Sequence, residues 1–508
     1  MGQRPRMSTS FLNIRITDDA VKSWRSSVAL PRTDEDNGHM RRYYPEKTVA
    51  SGAYQTRSIE KNTVEQWHKL WTSDRSEWFG TLRDRPKRFD PDLWQRAVSI
   101  WRNEIPRETG AVVLPLDGVP FLVKDLFDVP GERTTCSSAV LLAKNGAQAS
   151  TAVKAGWLVQ RVLDQGAHLV GRTTMNEFAY GLDGRNVLTG DCPHPLDRRR
   201  ISGGSSSGSA WAVASGVVPF ALGTDTGGSI RLPAAICGIY GIRLGWDPKR
   251  LSGVFPLARS LDTVGWFTHN PEDMQGLIDL VFSDEKSIPG TNAPTASKDN
   301  SPIDTDRNKI QKIRLCALIP PGTQLNKDIS RMWDEMPARL RDMEMEVDHK
   351  EAPDFLGDSA VTAYDVIGSS EAWSVHQEWI SEYGELYDPV VRGLIERGRY
   401  WTTELRTEAE RTRQDIRLFV DDLFRSYDFL IMPATVIAGP RREEADGHFR
   451  KQILRLNTLA SLAGLPALSA PVHFDAVRSG GFQIVGPMGG ERRFISFLQR
   501  WSETIRTV

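Results

Sequence analysis

One stretch, Ile201–Arg231, constrains this chain more than any other: ISGGSSSGSAWAVASGVVPFALGTDTGGSIR. Glycine and serine at this density either let backbone approach a ligand or allow backbone geometry closed to bulkier residues. Four readings compete. Gly203-x-x-x-x-Gly208-Ser209 has the glycine spacing of a phosphate loop, but Ser209 replaces the lysine that reaches the phosphates. Gly204-Ser-Ser206-Ser-Gly208 fits the G-x-S-x-G of a nucleophile elbow. An elbow follows a buried strand, however, and Leu196–Ile201, LDRRRI, is too polar to be one. Alternatively, two separated serines work with a distant lysine. Successive N–H groups at Thr226, Gly227, Gly228 and Ser229 then converge as an oxyanion hole. The fourth reading is a plain glycine-rich turn.

Length and composition bound the rest. A chain of 508 residues invites three domains at roughly 150 residues each, or one large α/β domain with appendages. Lys and Arg (64) balance Asp and Glu (65), which excludes a chain-wide basic stripe for DNA or RNA. With 40% hydrophobic and 25% charged residues the chain is globular, not disordered, collagen-like or a disulfide scaffold. Four scattered cysteines, Cys136, Cys192, Cys237 and Cys316, fit a reducing compartment. Cys192-Pro-His194 is the one close Cys/His pair, and no second pair completes a zinc site, so neither metal nor cofactor is expected. No apolar run reaches the length of a membrane span, and Met1–Arg15 lacks the apolar core of a signal peptide. The expectation is a cytoplasmic protein with no membrane span.

The pattern of apolar residues sketches the architecture. Residues 1–60 read as a polar N-terminal extension. Residues 61–110, rich in Trp, read as two or three amphipathic helices. Leu114–Asp125 reads as a turn and a buried strand, Ala152–Gln165 as a helix closed by Gly166, and His168–Gly171 as a strand. This strand–helix–strand rhythm predicts an α/β fold with a large, mostly parallel sheet. A helix with Ser206 or Ser207 at its N-cap and Gly216 at its end follows Ser205. Residues 283–308 read as a linker within a domain spanning 61–508, whose core is 111–282. Lys312–Leu318, Phe429–Pro433, Leu465–Val472 and Phe482–Val485 read as strands, and 370–425 as helical.

Several motifs together decide among the four readings. They are Gly118-Val-Pro-Phe-Leu-Val-Lys-Asp125, Gly203-Gly-Ser-Ser-Ser-Gly-Ser-Ala210 and Ala221-Leu-Gly-Thr-Asp-Thr-Gly-Gly-Ser-Ile-Arg-Leu-Pro233. Gly171–Glu177, Ser260–Gly265, Leu462–Ala467 and Gly481–Gly486 add to them. In this order, over roughly residues 85 to 505, they resemble the amidase signature family, in its stand-alone branch. The resemblance implies the family's α/β fold, with helices on both faces of a large mixed sheet. It implies a Ser–cis-Ser–Lys triad: Lys124 as base, Ser205 as bridging serine after a cis peptide, and Ser229 as nucleophile. It makes Thr226, Gly227, Gly228 and Ser229 the oxyanion hole and Ser206 a supporting serine. Asp225 and Arg231 are read as braces of that loop. Glu177, Phe178 and Tyr180 match a pocket-lining segment, although the two aromatic side chains also suit a core. The family's activity would be cleavage of a small carboxylic amide to acid and ammonia or amine. An acyl-transferring, ester- or carbamate-cleaving enzyme is the alternative, and a glutamine-amidase-like or non-catalytic subunit of a complex comes third. Two departures stand out. The motif Y-D-G-x-R-Y-G of the glutamine-amidase subunits is missing, and Ile242-Arg-Leu-Gly-Trp-Asp247 replaces the usual K-P-[ST]-x-G. The expected partner is a small-molecule amide, with no nucleic acid; a homodimer stays open.

Overall fold

Residues 98–101, 114–116, 118–145, 151–283 and 312–501 are described by the structure, a computed structural model. The expected N-terminal extension, most of the helices expected over 61–110, and the linker beyond Ser283 lie outside the described residues. The described strands are β1 (Val98–Trp101), β2 (Pro120–Lys124), β3 (His168–Thr173), β4 (Pro193–His194), β5 (Asp197–Ile201) and β6 (Phe220–Asp225). They continue with β7 (Tyr240–Arg243), β8 (Thr263–Thr268), β9 (Ile313–Ala317), β10 (Met345–His349), β11 (Phe429–Pro433), β12 (Ala467–His473) and β13 (Ser479–Val485). The described helices begin with α1 (Ala139–Asn145), α2 (Trp157–Asp164), α3 (Ser207–Ala214), α4 (Arg231–Cys237), α5 (Pro271–Val281) and α6 (Lys327–Asp342). After them come α7 (Asp358–Tyr383), α8 (Pro389–Glu396), α9 (Thr403–Leu423), α10 (Gly447–Ala463) and α11 (Phe494–Arg500).

One sheet of 11 strands organises the molecule, in the order β1-β3-β2-β6-β8-β7-β12-β13-β11-β9-β10. Parallel pairing runs through β3–β2–β6 on one flank and β11–β9–β10 on the other. The strands between them pair antiparallel. The strand–helix–strand rhythm of the sequence therefore belongs to the flanks. In the centre, β12 and β13 are joined by residues 474–478, too short a link for a parallel crossover.

Alternation along each strand feeds two faces. Phe121, Val123, Phe220, Leu222, Phe429 and Ile431 join a core with residues of α2, α5, α6 and α11. Leu122 and Ala221 meet α3, while Leu430 and Met432 meet α7, α9 and α10. Period-two alternation with both faces apolar requires helices on both sides, and they are there.

Two local expectations are corrected. Val98–Trp101 falls in the stretch read as helical but is a strand, pairing antiparallel with β3 at the sheet edge. Its V-S-I-W sequence is β-branched and aromatic, and the sheet's open edge decides in favour of a strand. The helix expected from Ala152 begins only at Trp157. Ala152 is tied instead to Gly131 and Glu132 by backbone hydrogen bonds of 3.0 and 3.1 Å, and Gly156 to Asp128 by one of 3.0 Å. Its end is as expected: Gly166 takes φ +90°, and the N–H groups of Gly166 and Ala167 close the last turn onto Leu163 and Val162. No described helix is long and apolar enough to cross a membrane.

Candidate active site

Lys124 is the last residue of β2, between β3 and β6, and is completely buried. Its Nζ donates to Ser205 Oγ and to Thr224 Oγ1, each at 2.8 Å. Burial disfavours the ammonium and brings its pKa down to about 7, against the opposing pull of Asp225 and Asp262. A buried lysine with neutral hydroxyl partners is thus poised between its two protonation states. Sequence reasoning did not single out Thr224. The signal was the pairing of β2 with β6, where Val123 lies opposite Leu222 and puts Lys124 beside the TDTGG segment.

Ser205 follows a cis peptide bond from Gly204, as the resemblance implied. The loop fits only glycine there: a side chain on Gly204 would collide with Asn176 and with the Gly184 backbone. Gly203, at φ +76°, lies against Pro233. Helix α3 then starts at Ser207 with Ser206 as N-cap, but the Ser206 hydroxyl does not cap it. It donates to the Thr224 carbonyl at 3.0 Å and receives the Thr224 N–H at 3.4 Å. The Ser206 N–H reaches the Ser229 carbonyl at 3.3 Å. Ser206 therefore clamps α3, β6 and the Ser229 loop together. The elbow reading does not fit this geometry: β5, which precedes the loop, belongs to a separate two-stranded ribbon, and the Ser206 hydroxyl is buried. Gly216, at φ +70°, ends α3 with its own N–H on Val213 and that of Val217 on Ala212.

The segment 226–230 links β6 to α4 and turns around Asp225. The Asp225 carboxylate accepts the N–H groups of Gly228 (2.9 Å), Ile230 (3.0 Å) and Arg231 (3.3 Å). It also accepts Arg231 Nε (3.0 Å), Arg231 Nη2 (2.8 Å) and Arg243 Nη1 (3.1 Å). Burial alone would push this carboxyl up. The guanidiniums of Arg231 and Arg243 more than offset that and hold it well below the usual carboxylate range. The bracing expected of Asp225 and Arg231 is thus visible, and Arg243 is a third member. It stands where the sequence departs from K-P-[ST]-x-G. Arg231 continues to Gln483 Oε1 (2.9 Å), the Asn457 carbonyl (3.1 Å) and Ser461 Oγ (3.0 Å).

The same contacts revise the oxyanion expectation. The Gly228 N–H is committed to the Asp225 carboxylate. The N–H groups of Thr226, Gly227 and Ser229 form no hydrogen bond with a described residue. Of the four expected donors, three are therefore left uncommitted among the described residues. Ser229 is almost buried, and its hydroxyl makes no hydrogen bond to Ser205. What ties the two serine segments together is the Ser206–Ser229 backbone bond.

The expected pocket residues separate. Glu177 is buried and receives Ser138 Oγ at 2.6 Å and the Asp388 N–H at 2.7 Å. Burial raises its pKa to about 7. Phe178 packs among Phe255, His376, Trp379 and Tyr387, with ring centroids 4.4–6.4 Å away. Both side chains are buried in packed surroundings. Tyr180 instead lies in the field of Arg450, Asp365 and Arg397. Tyr364 on α7, missed in the sequence, brings its hydroxyl so close to Gly227 that a side chain there would strike it. His194, half of the rejected zinc pair, is a core histidine: its Nε2 lies 3.2 Å from the Ile236 carbonyl and its Nδ1 accepts the Leu196 N–H.

A mixed α/β sheet with a lysine at a strand end, facing a serine loop and an N–H-lined turn, is the equipment of an amide-handling enzyme class. The amidase family model matches residues 93–495, and the chain belongs to that family, the amidase-signature enzymes. One of the subunits of the glutamyl-tRNA(Gln) amidotransferase of Sulfolobus acidocaldarius is 29% identical over 410 residues, covering 75% of this chain and 84% of the relative. Its counterpart in Symbiobacterium thermophilum is 31% identical over 404 residues, covering 73% and 80%. A solved structure described as an amidase superposes with TM-score 0.68 at 26% identity, covering 81% of this chain and 92% of that one.

Proposed function

We propose that this protein hydrolyses carboxylic amides through an acyl-Ser229 intermediate. The observation that carries the reading is the buried Lys124, lowered to about pKa 7 and 2.8 Å from Ser205. As the free amine, Lys124 takes the Ser205 proton while Ser205 takes that of Ser229. Ser229 Oγ attacks the carbonyl carbon. The N–H groups of Thr226, Gly227 and Ser229 receive the oxyanion. Collapse breaks the C–N bond, and the proton held on Lys124 returns through Ser205 to the departing ammonia or amine. Water then repeats the sequence on the ester, releasing acid and Ser229.

A fluorophosphonate probe with site mapping, followed by assays on amides, esters and carbamates, tests this. Labelling at Ser229, lost with Ser229→Ala and Lys124→Ala, is the expected result. A Ser229→Ala enzyme with undiminished amidase activity overturns it. The names of the amidotransferase relatives favour a second reading, in which this chain works within a complex of that kind. Ammonia release from simple amides by the purified chain alone separates the two.

A further inference from the structure

Beyond the loop, α7 and α10 form a wall that the chemistry above leaves unused. Asn457 lies against Gly228, and a side chain on Gly228 would come within 2.8 Å of it. Arg450 sits seven residues earlier on α10, two turns along the same face, or about 10 Å away. Tyr364 on α7 touches Gly227, and its neighbour Asp365 meets Arg450 Nη1 at 3.5 Å. That is long for a charge-assisted bond, which closes to about 2.7–2.9 Å. Arg450 Nε is buried with no partner among the described residues. The hydroxyls of Tyr180 and Tyr364, both close enough to feel Arg450 and Asp365, make no hydrogen bond with a described residue. Their surroundings hold both phenols protonated, as neutral donors. Asp262, the other carboxylate near Tyr364, is taken up by Thr226 Oγ1 (2.6 Å) and the N–H groups of Leu257 (2.9 Å) and Ala258 (3.0 Å). Arg397 adds a second positive charge beside Tyr180. The wall therefore offers two guanidiniums and two phenolic donors against one carboxylate, starting at the turn that follows β6.

We infer that this wall selects amides carrying a carboxylate remote from the scissile bond, with Arg450 as the specificity-determining residue. The inference rests on the acyl-Ser229 reading and narrows its substrate class. Asp365 orients the guanidinium without closing it. Substrate carboxylate then binds Nε and the free edge of Arg450, with Tyr180 or Tyr364 donating. A merely structural Arg450–Asp365 bridge, partly exposed, would affect every substrate alike.

Ammonia release is measured on the monoamides of succinic, glutaric and adipic acids and on neutral aliphatic amides of the same lengths. The expected wild-type result is a preference for one or more of the monoamides. In Arg450→Gln, the ratio of kcat/KM for monoamide over neutral amide falls roughly ten- to a hundredfold, mostly through KM. Arg450→Lys recovers part of it. Asp365→Asn, which keeps the shape and removes the competing charge, lowers the monoamide KM. A wild-type enzyme that cleaves both series equally, or variants that change both equally, overturns the inference while leaving the hydrolase reading standing. Failure to label Ser229 and to cleave any amide overturns the hydrolase reading itself.

Discussion

Asp225 and Glu177 are both almost wholly out of water, at 0% and 2% exposure, and the protein treats them in opposite ways. Asp225 is held ionised by two guanidiniums. Glu177 has a serine hydroxyl and a backbone N–H, and its pKa rises to about 7. At Glu177 two neutral donors do not offset the desolvation, whereas at Asp225 two guanidiniums and three backbone N–H groups do. One carboxylate is therefore a fixed charge around which the 226–230 turn is hung. The other changes charge near neutrality.

The largest effect that tests this contrast is Asp225→Asn. It strips two buried arginines of their counter-charge, and a stability loss of about 3–5 kcal/mol is expected in urea unfolding. A loss below about 1 kcal/mol would break the contrast. Glu177→Gln comes next. The folded state holds a proton on Glu177 that the unfolded chain releases near 4.5, so this stabilisation is full below pH 4.5 and disappears as pH rises to about 7. The difference is about 3 kcal/mol at 1.36 kcal/mol per unit. The glutamine variant should lose that slope between pH 4.5 and 7, followed by unfolding midpoints across pH. Asp225, with a lowered pKa, contributes no slope in that window; its contribution is lost only as pH falls below about 4.

The two regions also divide the pH dependence of catalysis. Only the free amine of Lys124 accepts a proton, so kcat/KM should rise through an apparent pKa near 7 and level off above it. Glu177 titrates in the same range. The limb should survive in Glu177→Gln; its disappearance there would transfer the limb to Glu177. The smallest effect is expected for Ser206→Ala, which removes a clamp and leaves Lys124, Ser205 and Ser229 in place. A stability loss of about 1–3 kcal/mol with partial activity fits an unsatisfied buried carbonyl at Thr224. Total loss of activity with an unchanged melting curve would give Ser206 a chemical role.

The Lys124–Ser205 contact was legible because both residues sit in long motifs whose order along the chain is itself informative. The bracing by Asp225 and Arg231 was legible for the same reason. Three things were not. The commitment of the Gly228 N–H depends on the φ of +114° at that residue, which spacing does not reveal. Arg243 looked like a break in a pattern because its partner lies 18 positions upstream, on a strand two places across the sheet. The wall of Tyr364, Asp365 and Arg450 is assembled from two helices whose faces meet only after folding. In the fold, the rhythm that announced parallel strands came from the flanks. In the antiparallel centre, β12 and β13 are joined by the short link 474–478 and β7 and β8 by 244–262, neither of which holds a helix whose periodicity could announce the pairing.

The reach of Arg231 also bears on how the protein is made. Its guanidinium meets Gln483, 252 residues further along the chain, as well as Ser461. Contacts of such separation form late, because the loop between them must be closed first. During synthesis, β2, α3 and β6 are available to pair long before the strand that carries Gln483 leaves the ribosome. Until then the turn can hang on Asp225, but its brace Arg231 lacks Gln483 and Ser461, so the nascent chain carries every residue of the proposed chemistry before that brace is complete. A chain cut off before Ser461 should remain in that state, however well its first strands pair.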